Sequence, residues 1–386
     1  MFTDNEIQVL RDMSVQIINP VQEYIIRDIC ERIAHAGGIT ATAEYLTFRA
    51  ETLGLHWDVL KREIAKRLAI SVSDVSRLYK MAAERSYSNE VKTFGGNYIS
   101  FEDNTVIQLM VRSASELAEN ELFNITQTQA IGMITPTGQE LPLREFYANT
   151  MDFVFNNVSY GVMDYNTAIR YASTELAKTG ATAINYASKV RTSLEAAVRR
   201  NIMGGLGLLT EQISQHNHDA LGANGWEMSA HAMSAPDHEP HQGKQYSDEE
   251  WMELNGTAEN PGTLIRRIGT LNCGHNAFPI ILGIHRPQYT ARQLQQFKDD
   301  NDKGVTIGDK HYTLYEATQA LRAMERSIRQ WKRRNTAAEA SGDSEQAGVV
   351  RARLVRAYQR YREFSKMAGL RTQEDRLYAS NFQKIA

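Results

Sequence analysis

The chain has 386 residues and a mass of 43.6 kDa, enough for two or three units with buried cores. Hydrophobic residues make up 42% and charged residues 23%, and the 43 Lys and Arg against 46 Asp and Glu leave a net charge of -3, so no global attraction to nucleic acid or to an anionic membrane is expected. The two cysteines, Cys30 and Cys273, exclude a disulfide framework and suit a reducing cytosol. No run approaches the roughly 18 consecutive apolar residues needed to span a bilayer, and the opening residues Met1 to Glu6 lack the basic and apolar regions of a secretory signal. A soluble, mainly intracellular chain is the expectation, and its 8 prolines lean it toward helix.

The first 85 residues read as helical. Ile17, Val21, Tyr24, Ile25 and Ile29 recur at helical spacing, Leu60, Ile64 and Leu68 form a second stripe, and Gly37-Gly38 breaks the first run. Ser73-Asp74 reads as a cap opening a further helix at Val75. Trp57 to Arg85 then has the outline of a helix-turn-helix, with Lys80 and Arg85 on its second helix. A helical hairpin packed on its neighbours has the same pattern, and no base-contacting surface is defined. Past Phe94-Gly95-Gly96 the pattern loosens, then returns around Val106, Leu109, Met110 and Leu117. Gln139 to Leu143 is a short turn, followed by a long helix marked by Phe146, Met151, Val154 and Val158. The Ala-rich run from Ala168 to Arg200 continues in helix-forming residues, with Gly180 its evident weak point. Gly204-Gly205-Leu206-Gly207 follows no strand pattern and precedes no Gly-Lys-Ser/Thr, so it reads as a flexible helix break and fails as a phosphate loop.

The texture changes at Gln215. Seven of the ten histidines fall between His216 and His285, among the turn signals Pro236-Asp237, Asn255-Gly256 and Pro261-Gly262, and Phe278 to Leu282 reads as a short strand. This is the expected small α+β unit. After Pro287 helix returns: Leu321, Met324, Ile328 and Trp331, then Val350, Leu354, Tyr358, Tyr361 and Ser365, are separated by Ala340-Ser341-Gly342-Asp343 and read as an antiparallel helical hairpin. From Arg322 to Arg371 it carries 13 Lys or Arg against 5 Asp or Glu, a local charge of +8 that leaves -11 on the rest of the chain. Such a stretch is either a solvated face or a salt-sensitive contact with packaged nucleic acid or an acidic protein surface, with Arg329, Lys332, Arg333 and Arg334 the residues nominated for it. The fold class is therefore mainly α, with long helical arms and a C-terminal hairpin around a small His/Cys-containing α+β module. Its expected segments are 1–92, 93–214, 215–290 and 291–386.

Within the module, Ser229-Ala230-His231, Asp237-His238 and Asn272-Cys273-Gly274-His275 concentrate imidazole and thiolate groups. A tetrahedral zinc site needs about four such donors, and His231, His238, Cys273 and His275 form the candidate set. The spacing matches no recognised zinc finger, and ordinary hydrogen bonding with Cys273 as a small hydrophobe is the competing reading. Cys273 beside a histidine, or His238 beside Asp237 or Glu239, also has the makings of acid-base or nucleophilic chemistry. No substrate pocket or oxyanion site is readable, so no residue is nominated as catalytic.

These segments resemble the phage minor capsid protein 2 family, relatives of the Mu-type head morphogenesis proteins. Ser229-Ala230-His231, Pro236-Asp237-His238, Gln242-Gly243-Lys244-Gln245-Tyr246-Ser247 and Asn272-Cys273-Gly274-His275-Asn276-Ala277-Phe278-Pro279 follow the family's hallmark in order. Arg199 to Gln215 before it, Tyr315 to Arg329 after it and the closing Gly369-Leu370-Arg371-Thr372-Gln373 agree as well, while the first 90 residues are weakest. Three departures stand out. Met233-Ser234-Ala235 replaces the usual Gly-Ala-Arg, Gly274 replaces an arginine between cysteine and histidine, and His241 replaces a tryptophan. Two cationic side chains are thereby gone from the motif, and His241 ranks below the other four as a ligand.

The resemblance implies a low-copy virion protein, made in the host cytoplasm and built into the phage head near the portal vertex. It would serve head assembly and DNA packaging or delivery without turnover, with the portal or other head proteins and packaged DNA as partners. The alternatives are an effector enzyme carried in the head and delivered with the DNA, and a DNA-binding regulator resting on residues 57–85.

Overall fold

A computed structural model describes residue 13 and residues 16–94, 98–126, 130–135, 137–183, 192–257, 259–269 and 274–377. The chain is mainly α, with small antiparallel sheets set between the helices. Helix α1 (Asn19–Gly38) opens on Pro20, whose missing amide hydrogen costs nothing in a first turn, and buries Val21, Ile25, Ile26, Ile29 and Ile33. It ends where Gly37 passes α5 (Leu143–Ser159): a Cβ there would stand 3.0 Å from Val154 Cγ1 and 3.3 Å from the Tyr165 ring. Helix α2 (Thr42–Glu51) runs through one π-helical turn, Thr52–His56, into α3 (Trp57–Phe94). In that turn His56 reaches back to the buried Asp28, whose carboxylate also accepts from Tyr147 Oη at 2.7 Å.

Two expected breaks are absent, and the expected weak point at Gly180 is a complete one. Ser73-Asp74 does not cap a new helix, because Asp74 pairs with Arg77 one turn on and the buried row Ile64, Leu68, Val75, Leu78, Tyr79, Ala82 carries the helix across. Without a turn, residues 57–85 are no helix-turn-helix. Gly204-Gly205 likewise lies inside an unbroken α7 (Leu194–Leu221), where Gly205 makes room for the buried Tyr79 phenol, whose hydroxyl donates to Ile202 O at 3.2 Å. Packing against Tyr79 outweighs the weak helix propensity of glycine. Gly180 is a full stop: α6 (Tyr165–Thr179) ends on it with φ 68°, and short strands β3 (Thr182–Ala183) and β4 (Thr192–Ser193) come before α7.

Helices α3, α4 (Thr105–Thr126) and α7 pack together on one side, and α1, α5, α6 and α10 (Leu314–Ala340) on the other. One apolar core runs through both from Ile17 to Ile213 and takes in Ala337 of α10, so the expected segments 1–92 and 93–214 share it. Strands β1 (Ile131–Ile134) and β2 (Glu140–Pro142) complete a sheet of order β2-β1-β3-β4 beside that core. Next comes a sheet of order β6-β5-β7, from β5 (Gly225–Met228), β6 (Gln245–Ser247) and β7 (Ala277–Ile280), with α8 (Asp248–Asn255) on a core of Trp226, Met228, Trp251, Leu264 and Ile268. Helix α9 (Ala291–Lys303) and the ribbon β8 (Val305–Ile307) and β9 (Lys310–Tyr312) lead into α10. The expected hairpin is present: α10 turns at Gly342, φ 74°, into α11 (Ser344–Met367), around Leu321, Ile328, Leu354, Tyr361 and Phe364. Among the described residues no helix is long and apolar enough to cross a membrane.

An alanine in place of a mid-helix glycine normally stabilises by about 1 kcal/mol. At Gly205 the new methyl group would overlap the Tyr79 hydroxyl. Gly205→Ala is therefore expected to destabilise by about 1–3 kcal/mol in urea titrations. In a Tyr79→Phe background the same change should turn neutral or stabilising.

Candidate functional site

The β5–β7 register builds the histidine cluster. Met228 stands opposite Ala277, and beyond that pair Ser229 N–H donates to Asn276 O at 2.8 Å while Asn276 N–H donates to Ser229 Oγ at 2.9 Å. His231 and His275 thus leave the sheet at the same end, and their rings stack with centroids 4.2 Å apart. The turn-rich segment after β5 folds back to bring in His238, whose ring meets His275 edge-on at 5.4 Å. Gln242 ties the group together: its Oε1 accepts from the His231 backbone N–H and from His275 Nε2–H, both at 3.1 Å. His238 is fully buried, and its Nε2 lies 2.8 Å from Arg266 O. A carbonyl only accepts, so Nε2 carries the hydrogen, and in the neutral ring the lone pair lies on Nδ1. That Nδ1 has no hydrogen-bond partner among the described residues, an arrangement that costs about 1–3 kcal/mol if nothing meets it.

Three of the four nominated ligands therefore converge, and the fourth, Cys273, lies outside the described residues. Among the described residues no three imidazole, thiolate or carboxylate groups already stand in metal-ligand array. His241 sits beside the cluster with its ring pushed toward the neutral form, first by burial and then by Lys244 and His238.

Two polar groups that the sequence reading did not single out lie where α7 meets the module, one joining α3 to α7 and the other joining α7 to the module. Glu90, at the C-terminal end of α3, is buried between α3 and α7 and accepts from Ser214 Oγ, from Asn217 Nδ2 at 2.7 Å and from Ser86 Oγ at 3.4 Å. Burial raises its pKa to about 7 despite those donors. His218 of α7 stacks on Trp226 with ring centroids 5.0 Å apart and places Nε2 2.8 Å from Asp248 at the start of α8. Glu90 lies in the polar run Glu84-Arg85-Ser86-Tyr87-Ser88-Asn89-Glu90-Val91-Lys92, where nothing in the sequence marks it as a buried acid.

The hairpin's charges divide by face. Arg329 pairs with Glu195 of α7 at 3.0 Å, both side chains about 15% exposed. Lys332 is buried, donates to Leu377 O, and has its pKa lowered to about 8, chiefly by burial. Arg333 donates from Nε to Ala177 O at 3.3 Å, and Arg334 stacks its guanidinium 4.7 Å from the centre of the Trp331 ring. Of the four nominated cations, Arg329, Lys332 and Arg333 thus have partners on the packed face of α10, and Arg334 lies half-buried against Trp331 of the same helix. The outward charge sits on α11, where Arg353, Arg356 and Arg360 share one exposed face at spacings of 3 and 4. Arg170 of α6 clamps the hairpin turn, with Nε 2.7 Å from Asp343 Oδ2 and Nη2 3.0 Å from both Asp343 Oδ1 and Glu345 Oε2.

Helix α4 is apolar on two faces. Ile107, Val111, Ala118 and Leu122 enter the core, whereas Val106, Leu109 and Leu117, from the stripe visible in the sequence, remain 45%, 60% and 67% exposed. They line a groove of about 950 Å³ between α4 and α7, continued by Met110, Ala114 and Leu208. A water-facing helix normally keeps such residues on its core side only.

Two outcomes follow. Glu90 has a folded-state pKa above that of the unfolded chain, so its contribution to stability is full below about pH 4.5 and is lost as pH rises through about 7. Unfolding titrations from pH 5 to 8 should show stability falling by up to a few kcal/mol, and Glu90→Gln should flatten that slope. Arg329→Ala leaves Glu195 nearly buried without its partner and should cost about 3 kcal/mol by the same titration. The quadruple Gln substitution of Arg329, Lys332, Arg333 and Arg334 is expected to act through stability in the same way.

The family pattern described as phage minor capsid protein 2 fits residues 2–366. No curated protein and no solved structure matches. A fit over nearly the whole chain takes in the helical body, the histidine module and most of the hairpin, and the chain belongs to the phage minor capsid protein 2 family.

Proposed function

We propose that this protein is a low-copy component of a tailed-phage head, placed near the portal vertex, where it serves head assembly and DNA packaging or delivery without catalytic turnover. The observation that carries this reading is the family match over residues 2–366. A capsid family implies a phage structural role, and the two outward surfaces suit one. The exposed apolar row Val106, Leu109 and Leu117 on α4 fits a helix of the portal or another head protein, since helix-in-groove docking reads anchors at this spacing. The arginine face of α11 fits phosphate or an acidic protein surface. On this reading the protein is made in the host cytoplasm and ends in the virion.

Quantitative mass spectrometry of purified, nuclease-treated particles, before and after triggered DNA release, tests the proposal. The expected result is a few copies per particle relative to the major shell protein. Loss on release would make it a delivered protein and retention a fixed vertex component, either of which upholds the head assignment. Absence from particles would overturn it. Arg353, Arg356 and Arg360 changed together to Gln should leave folding intact and weaken DNA or partner retention most at low salt, since exposed charges contribute little to stability. Retention equal to wild type at every salt concentration would remove α11 from the account.

A further inference from the structure

We propose that His231, His238 and His275 form a binding site for a zinc-like divalent transition metal, which ties the segment after β5 to the entry of β7. The three imidazoles come from separate stretches of chain, and the β5–β7 register together with Gln242 brings them into ring contact. Metal-binding histidines characteristically give their second ring N–H to a carbonyl or amide oxygen, which sets the tautomer and leaves the other nitrogen for the ion. Two of the three have that arrangement here. His238 Nε2–H is committed to Arg266 O and His275 Nε2–H to Gln242 Oε1, so in the neutral form each ring carries its lone pair on Nδ1.

His238 supplies the independent observation. Its side chain is fully buried, and Nδ1 has no hydrogen-bond partner among the described residues. Asp237 stands 3.7 Å from His238 Nε2 and is itself held by Arg266, an outer carboxylate of the sort that steadies a ligating imidazole. The module's own cluster is also small, Trp226, Met228, Trp251, Leu264 and Ile268 among the described residues, beneath long irregular segments, the circumstance in which small units draw stability from a metal. Neutral imidazole donors suit zinc and the neighbouring late divalent ions better than calcium or magnesium, which take oxygen. Binding requires the His231 ring to swing off the His275 ring about its own side-chain bonds, with the backbone anchor of His231 on Gln242 retained.

The test uses the untagged full chain and zinc alone as the probe. Elemental analysis of the purified protein should find about one zinc per chain, or, if the protein is purified empty, uptake of about one equivalent from added zinc chloride. In either case thermal unfolding should shift upward with zinc and downward with a chelator. The His231→Gln, His238→Gln double variant should lose the metal and the zinc-dependent shift together. Gln242→Ala, which removes an outer acceptor and no ligand, should weaken zinc about 10- to 100-fold. If the double variant does not fold, the chelator and zinc arms on the wild-type chain decide alone. Wild-type protein that neither contains nor takes up zinc, or a folded double variant that keeps it, would overturn the proposal.

Discussion

The inner face of α10 is the constraint on which the rest of the molecule depends. Arg329 on Glu195, Arg333 on Ala177 O and Lys332 on Leu377 O draw α10 against α1, α6 and α7, while Ala337 joins the main apolar core. Cations this well buried are costly alone and cohesive when partnered. They hold the hairpin to the body, with Arg170 closing the same joint from α6 onto Asp343 and Glu345. A hairpin fixed in this way presents α11 outward in one orientation, so the arginines at 353, 356 and 360 form a surface that a partner can meet without ordering it first.

The body is built so that its helices have more apolar surface than one core needs. Helix α4 fills the core with Ile107, Val111 and Leu122 and still exposes Leu109 and Leu117 along the groove beside α7. In a chain that works alone such a face would be a liability; in a member of a capsid family it suits the docking proposed for it. The histidine module sits at the far end of α7, seated by His218 on Trp226 and on Asp248, next to the buried Glu90 network that joins α3 to α7. Among the described residues it has the smallest of the apolar clusters, which makes it the part with the strongest need of an extra staple.

Much of this was legible in the residues. The hairpin could be read because apolar spacings of 3 and 4 run along both arms and Gly342 marks the turn. The histidine cluster could be read because its residue types are concentrated in one segment. Other features were decided by packing at a distance. Tyr79 keeps Gly205 helical from 126 positions away, and the continuous buried row of α3 overrides the cap signal at Ser73-Asp74. The basic run of α10 gave charge without direction: Arg329 and Lys332 face inward because Glu195 and Leu377 wait there, partners that no local pattern announces. The stripe Val106, Leu109 and Leu117 was visible as a helix but did not show which face the interior takes, since α4 carries a second stripe, Ile107, Val111, Ala118 and Leu122, that enters the core instead.

The central claim is that two outward faces, the apolar row of α4 and the arginines of α11, hold this chain in the head while the inner face of α10 holds the chain together. The most direct test is site-specific photo-cross-linking in assembled particles, with the cross-linker placed in turn at positions 109, 117, 356 and 360. The account predicts cross-links from 109 and 117 to another head protein, and from 356 and 360 to DNA or to the portal. Particles in which all four positions react with nothing beyond the chain itself would contradict it.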